Sequence, residues 1–303
     1  RETSRTPAFV DIAAAGDLPV GTANDTTGKL TVGAAGTILM GRAAATSKLA
    51  YVAALNKTIY GLTYANNVGD ATNDIDLAAG GCMDATGAYF MVRSAITKRS
   101  DATWAVGTNA GWLDTGAIGN SDYYEWTIAR SDTGVVDSLL SLSSTAPDMT
   151  LPTAAYDFKR LTGWLKRVGG TIVAFHTYEV EGGGLKLMWD VPTLDVDLAA
   201  TLATARRTDA VKVPLNFSTL AHIRGTIDDA ASHISVITSP DETDAAPSTT
   251  TAPLATIRGE AAEFQTDTLT IQTSATGTIA ARSTVTVDQY RVVTLGFTWA
   301  RRN

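Results

Sequence analysis

Apolar residues in this chain fall in short runs of about five to eight, rich in Val, Ile, Thr, Tyr and Trp and bounded by Gly, Asn, Asp, Ser or Pro. That is the spacing of half-buried strands rather than of amphipathic helices. Tyr124, Trp126 and Ile128 alternate with Tyr123, Glu125 and Thr127, so the two sets lie on opposite faces of one strand. Leu185, Leu187 and Trp189 alternate with Lys186 and Met188, and residues 268–273 alternate Thr with Leu and Ile. Strands are also predicted over 171–178, after Gly169-Gly170, and at 285–287 and 292–295. Turn signals recur at Asp132-Thr133-Gly134, residues 181–184 and Ala275-Thr276-Gly277. Short strands at this interval predict an all-β fold, an antiparallel, jelly-roll-like β-sandwich over residues 56–303. Residues 205–220 are where it would divide into two sub-sheets or subdomains. Helical signal is confined to two short segments, 199–207 and 219–223.

Residues 1–55 have a different texture. Small residues fill 13–16, 21–25 and 33–36 and flank the short apolar runs Lys29-Leu30-Thr31-Val32 and Thr37-Ile38-Leu39-Met40. Such a segment scarcely buries a core alone. It is expected to be an extended, β-poor connector that becomes ordered among subunits. A second dip, residues 239–253, reads as a long surface loop.

Composition narrows the classes. Hydrophobic residues make up 45% of the 303 and charged residues 18%, which excludes wholesale disorder. One Cys excludes an internal disulfide framework and a multi-Cys metal site, and His176, His222 and His233 have no ligand-pair spacing. A net charge of −7 argues against nucleic acid or an anionic membrane as partner. No run of 18 apolar residues predicts membrane insertion. The low charge leaves Thr, Ser, Asn, Gly and Ala to cover the surface.

Catalytic motifs of the GxSxG, P-loop and HExxH kinds are missing from the sequence, and neither an enzyme nor a cofactor or metal is expected. Cys82, within Gly80-Gly81-Cys82-Met83-Asp84, is expected to pack as a small buried residue. Asp74 and Asp76, and likewise Asp195 and Asp197, are spaced to share a strand face. They read as the wet face of strands with Ile75 and Val196 inward, or else as a cation site or glycosidase carboxylates. Trp126, Trp164, Trp189 and Trp299 read as core. Trp104 and Trp112 flank a Gly/Asn-rich stretch that runs on to Asn120 and Tyr123. They either plug the core or offer sugar-stacking faces beside polar groups. Trp104, Asn109, Trp112, Asn120 and Tyr123 are therefore the receptor-binding candidates.

A series of phrases from Lys57 onward resembles the C-terminal domains of tailed-phage tail fibres and related virion attachment proteins. They include Ile59-Tyr60-Gly61-Leu62-Thr63, Asn73-Asp74-Ile75-Asp76-Leu77, Tyr123-Tyr124-Glu125-Trp126-Thr127-Ile128 and Thr133-Gly134-Val135-Val136-Asp137. Tyr156-Asp157-Phe158-Lys159-Arg160-Leu161-Thr162-Gly163-Trp164 and Thr294-Leu295-Gly296-Phe297-Thr298-Trp299 follow in the same order, over about four-fifths of the chain. In this stretch Phe158, Leu161 and Trp164 are expected inward, with Lys159 and Arg160 outward. The resemblance carries over no catalytic residue. It implies a virion structural protein, a homotrimeric tail fibre, spike or baseplate component. Residues 1–55 would dock it to other virion proteins, and its loops would bind a host surface glycan or protein, probing saccharides multivalently. The alternatives are a polysaccharide-degrading tailspike enzyme and a purely structural head fibre or tail-tip component.

Overall fold

The computed structural model describes residues 58–301, apart from 154, 200–201, 252–256 and 261–262, and before them the strands within 18–53. Four of those strands form two antiparallel pairs, β1 (Leu18–Ala23) with β2 (Thr26–Leu30) and β3 (Thr37–Gly41) with β4 (Leu49–Ala53). The N-terminal segment is thus richer in strand than its composition suggested. The expected packing of this segment among subunits lies outside the described residues.

In the rest of the described chain the regular elements are strands, apart from one 3-10 turn at Glu181–Gly183. In order they are β5 (Ile59–Gly61), β6 (Tyr64–Asn66), β7 (Asp74–Leu77), β8 (Gly80–Met83), β9 (Phe90–Arg93), β10 (Ile96–Thr103), β11 (Ala110–Leu113) and β12 (Asp122–Ala129). Next come β13 (Val136–Ser141), β14 (Phe158–Val168), β15 (Thr171–Ile172), β16 (Phe175–Val180) and β17 (Gly184–Ala199). The last are β18 (Arg207–Ala210), β19 (Leu220–Asp228), β20 (His233–Thr238), β21 (Ile257–Gly259), β22 (Gln265–Gln272), β23 (Thr278–Ser283) and β24 (Gln289–Trp299).

These strands build four sheets. The largest has eight strands in the order β15-β14-β12-β13-β11-β10-β7-β6. A five-stranded sheet, β16-β17-β24-β19-β22, a four-stranded sheet, β18-β23-β20-β21, and a three-stranded sheet, β5-β8-β9, complete the fold. The all-β expectation holds. Residues 219–223 enter β19 rather than a helix, because Ala221 and Ile223 are buried while Leu220 and His222 are not, the period of a strand paired on both sides. The described part of 199–207 holds no helix either.

One continuous core runs from Tyr64 to Trp299, and Val211, Val213 and Phe217 carry it across 205–220. Long strands make this possible. Near one end of β17 and β24, Trp189 and Phe297 meet Trp164 of the large sheet edge-on, with ring centroids 5.8 and 5.4 Å away. At the other end Tyr290 is buried near Arg207 of β18. Gly225 of β19 faces Ile237 and Ile257 of the four-stranded sheet, so close that a Cβ would meet Ile237 at 2.7 Å. Trp126, Trp164, Trp189 and Trp299 are all buried, as their strand positions predict.

Strand β12 is buried on both faces. The Tyr124, Trp126 and Ile128 face belongs to the main core. Its Glu125 and Thr127 face lies under the three-stranded sheet, where Arg93 Nη1 donates to Glu125 Oε1 at 2.7 Å. Ser138 Oγ donates to the same oxygen at 2.7 Å, and the Thr162 hydroxyl donates to Oε2. Trp112 Nε1 in turn donates to Ser138 Oγ at 2.8 Å. Gly163, opposite Glu125 in the ladder, leaves the space that the carboxylate and the Tyr64 ring occupy.

A second charged group pins the chain end. Arg301 is fully buried, and its guanidinium donates to the carbonyls of Gly183 (2.9 Å), Gly61 (3.0 Å) and Leu62 (3.1 Å). Arg160, expected to face outward, is buried instead. It donates to the carbonyls of Met83 (3.1 Å) and Arg301 (2.7 Å), so backbone oxygens replace the water that an exposed guanidinium would hold.

Candidate functional site

The stretch from Trp104 to Trp112 does not form an open loop. Strand β11 runs parallel to both β10 and β13, which departs from the purely antiparallel sandwich expected. A buried ion pair holds the folded-back connection in place. Lys98 Nζ lies 2.9 Å from Asp137 Oδ1 and donates to the Ala105 carbonyl at 2.7 Å. Asp137 Oδ2 accepts the Gly107 amide at 2.7 Å, and the Asn109 amide donates to the Thr97 carbonyl at 2.8 Å. Burial pulls the Lys98 ammonium below the usual lysine value, and Asp137 opposes that pull.

This staple decides the fate of the aromatic candidates. Trp112 is fully buried. Trp104 is partly buried, donates from Nε1 to the Ser138 carbonyl at 2.8 Å, and meets Tyr156 edge-on at 5.3 Å. Tyr123 is buried, with its hydroxyl accepting from the Gly119 amide at 2.9 Å. Trp112 and Tyr123 thus present no stacking face to solvent, and the sugar-platform reading of them is corrected to a core role. Asn109 and Asn120 are exposed, but Asn120 Oδ1 accepts the Gly170 amide at 2.8 Å and so fastens a turn on the far edge of the sheet.

A different concavity gathers polar groups, at the seam between two sheets. Edge strand β6 of the eight-stranded sheet meets edge strand β16 of the five-stranded sheet without a ladder. Thr177 closes the seam, its hydroxyl accepting from the Tyr64 amide at 2.9 Å and donating to the Tyr64 carbonyl at 2.6 Å. Asn66 Oδ1 accepts the Phe175 amide at 3.1 Å. Tyr64 itself is buried, and its hydroxyl donates to the Trp164 carbonyl at 2.6 Å, which fixes β6 to β14. Burial pushes this phenol well above the usual tyrosine range.

Above the seam lies an open groove of about 500 Å³, lined among others by Asp76, Thr97, Thr108, His176, Thr177 and Tyr178. Tyr178 is 54% exposed at its rim. Asp76 Oδ1 accepts from the Thr97 hydroxyl at 2.7 Å and from Asn67 Nδ2 at 2.9 Å, so the carboxylate is held in place. Thr108 Oγ1 accepts the Thr97 amide at 3.0 Å, and Asn109 follows it in the chain. The folded-back loop therefore contributes Thr108 to the groove, while its tryptophans serve the core.

The acidic pairs separate. In β7, Ile75 and Leu77 are buried and Asp74 and Asp76 are not, which matches the alternation read from sequence. Asp76 lines the groove, whereas Asp74 lies opposite Arg99 in the ladder. Burial raises the Asp74 carboxyl, and neighbouring Asp70 adds to the rise. In β17, Asp195 is the extra residue of a β-bulge, partly buried, and accepts the Thr294 amide at 3.1 Å. Asp197 is exposed and pairs with Arg291 Nε at 2.8 Å. Cys82 is buried, as expected. Among the described residues, no group of three or more His, Cys, Asp or Glu is placed to hold a metal ion.

The sequence signal for this groove was present but diffuse. His176 and Tyr178 fell within the strand predicted over 171–178 and Asp76 was read as the wet partner of Ile75, but nothing singled out Tyr178. Nothing local indicated that β6, β7, β10 and β16 would converge. Neither a scan against protein-family models nor a search of curated proteins found a match, so the site is read from its own geometry.

Proposed function

We propose that this chain is a structural protein of a tailed-phage virion, a tail fibre, spike or baseplate component that attaches to the host surface without catalysis. In this reading the seam groove is the receptor site and a saccharide is its ligand. The observation that carries the proposal is the groove itself. It sets one exposed aromatic ring, Tyr178, beside Thr hydroxyls, an imidazole and a fixed carboxylate in a shallow, open trough. A sugar ring offers one apolar face and a rim of hydroxyls, and that set of groups matches it. A homotrimer would present three such weak sites and gain through avidity. The phage-like order of phrases along the chain supports the same reading. Asp76 is the one carboxylate among the groove's lining residues, which favours binding over hydrolysis by a carboxylate pair.

The test is glycan binding by the full chain, immobilised as an oligomer, against polysaccharides extracted from candidate host surfaces. Tyr178→Ala and Asp76→Asn are each expected to weaken binding about tenfold per site, with circular dichroism unchanged. Undiminished binding by both folded variants would refute the groove as receptor site.

A further inference from the structure

The three-stranded sheet carries apolar residues on its outer face as well as on the face it buries, where Arg93 is the charged exception. Ile59, Cys82 and Met91 form one row across β5, β8 and β9 and are buried. Tyr60, Gly81 and Val92 form the next row and point the other way. There Tyr60 is 47% exposed, Val92 57%, and Phe90, two residues from Val92 on the same face, 39%. The Tyr60 and Phe90 rings lie 6.2 Å apart at 25°, over Gly81. A Cβ at Gly81 would meet Phe90 at 3.1 Å and Tyr60 at 3.0 Å, so the pair of rings depends on glycine between them. An outward strand face is ordinarily polar; this one carries no charge and joins three apolar side chains into one patch.

We propose that this face seats a second copy of the chain, whose β3–β4 hairpin covers it. Strand β3 reads TILMG and β4 reads LAYVA, without a charged residue. Ile38 pairs with Val52, Leu39 with Tyr51 and Met40 with Ala50. Apolar residues at consecutive positions make both faces of the hairpin apolar by sequence. A two-stranded hairpin is marginal in water by itself, and two apolar faces need two covers. Docking on its own chain would supply only one. Residues 54–58 link Ala53 to Ile59, a reach of roughly 20 Å when extended, so the hairpin is tethered at the end of the domain that carries the patch. A hairpin-to-patch contact between copies is head-to-tail, the kind that closes into a ring.

The inference rests on the assembly part of the proposed function and is independent of what the groove binds. Two differently tagged full chains are co-expressed, one carrying Val92→Cys, the other Leu39→Cys or Met40→Cys. Cys82 stays out of the reaction, because burial pushes its thiol up to about 12. The expected result is a disulfide between the two tags for at least one hairpin position. In a companion measurement, Val92→Asp is expected to dissociate the oligomer in light scattering while circular dichroism stays unchanged. A cross-link formed only within a chain carrying both substitutions would overturn the seat, as would its absence from an intact oligomer. Loss of saccharide binding by Tyr60→Ser with the oligomer intact would make the face a ligand platform instead. A monomeric unsubstituted chain would overturn the assembly reading along with the seat.

Discussion

Glu125→Met leaves Arg93 buried beneath the three-stranded sheet with no counter-charge. Arg93 and Glu125 are each no more than 2% exposed, and the carboxylate also accepts the hydroxyls of Ser138 and Thr162. Removing one partner of a buried ion pair costs about 3–5 kcal/mol, since the remaining charge keeps its desolvation penalty and loses its compensation. For a domain of this size, each kcal/mol corresponds to about 2–4 °C in Tm, so a fall of roughly 6–20 °C is expected. Arg93→Met together with Glu125→Met removes both charges and fills similar volume. The double variant is expected to be more stable than Glu125→Met alone. The assay is urea unfolding followed by Trp fluorescence, read as a double-mutant cycle. The reasoning is refuted if Glu125→Met costs less than about 1 kcal/mol, or if the double variant costs the sum of the singles.

Two further outcomes follow from buried titratable groups. Asp84 is buried, which alone would raise its carboxyl, but bonds from the Thr86 hydroxyl and amide and from the Tyr89 and Ala88 amides hold it below the usual value. A depressed folded pKa contributes stability above the unfolded value, near 4, that is lost as pH falls through the folded value. Asp84→Asn is therefore expected to flatten the acid limb of a stability–pH profile; an unchanged limb would contradict the assignment. Cys82 is expected to resist iodoacetamide at pH 8 in the folded protein and to react on unfolding in urea; rapid labelling of the native chain, checked by mass spectrometry, would show the thiol to be accessible.

Strand identity was legible along most of the chain because alternation is a local property. Ile75 and Leu77 are buried against Asp74 and Asp76, and the tryptophans of β12, β14, β17 and β24 are in the core, where their patterns placed them. Period 2 misleads where both faces are covered. Glu125 and Arg160 occupy polar positions of their patterns, yet each lies under another layer and is bonded there, Glu125 to side chains and the Nη1 and Nη2 groups of Arg160 to backbone carbonyls. Their burial depends on the three-stranded sheet and on the chain end, which are distant in sequence.

The candidate site divides the same way. Residue chemistry alone marked an all-β chain of low charge, with Asp76 on the wet face of its strand and His176 and Tyr178 within the strand predicted over 171–178. It also drew attention to Trp104 and Trp112, whose Gly/Asn setting resembles a binding loop. Only the tertiary structure decided between binding and packing, because Lys98 and Asp137, 39 residues apart in sequence but 2.9 Å apart in space, fold that loop back on its own strand. The groove, in turn, exists only where the edges of two sheets meet. A strand's pattern states which way each residue faces, but what it faces is set by long-range pairing that no local segment encodes.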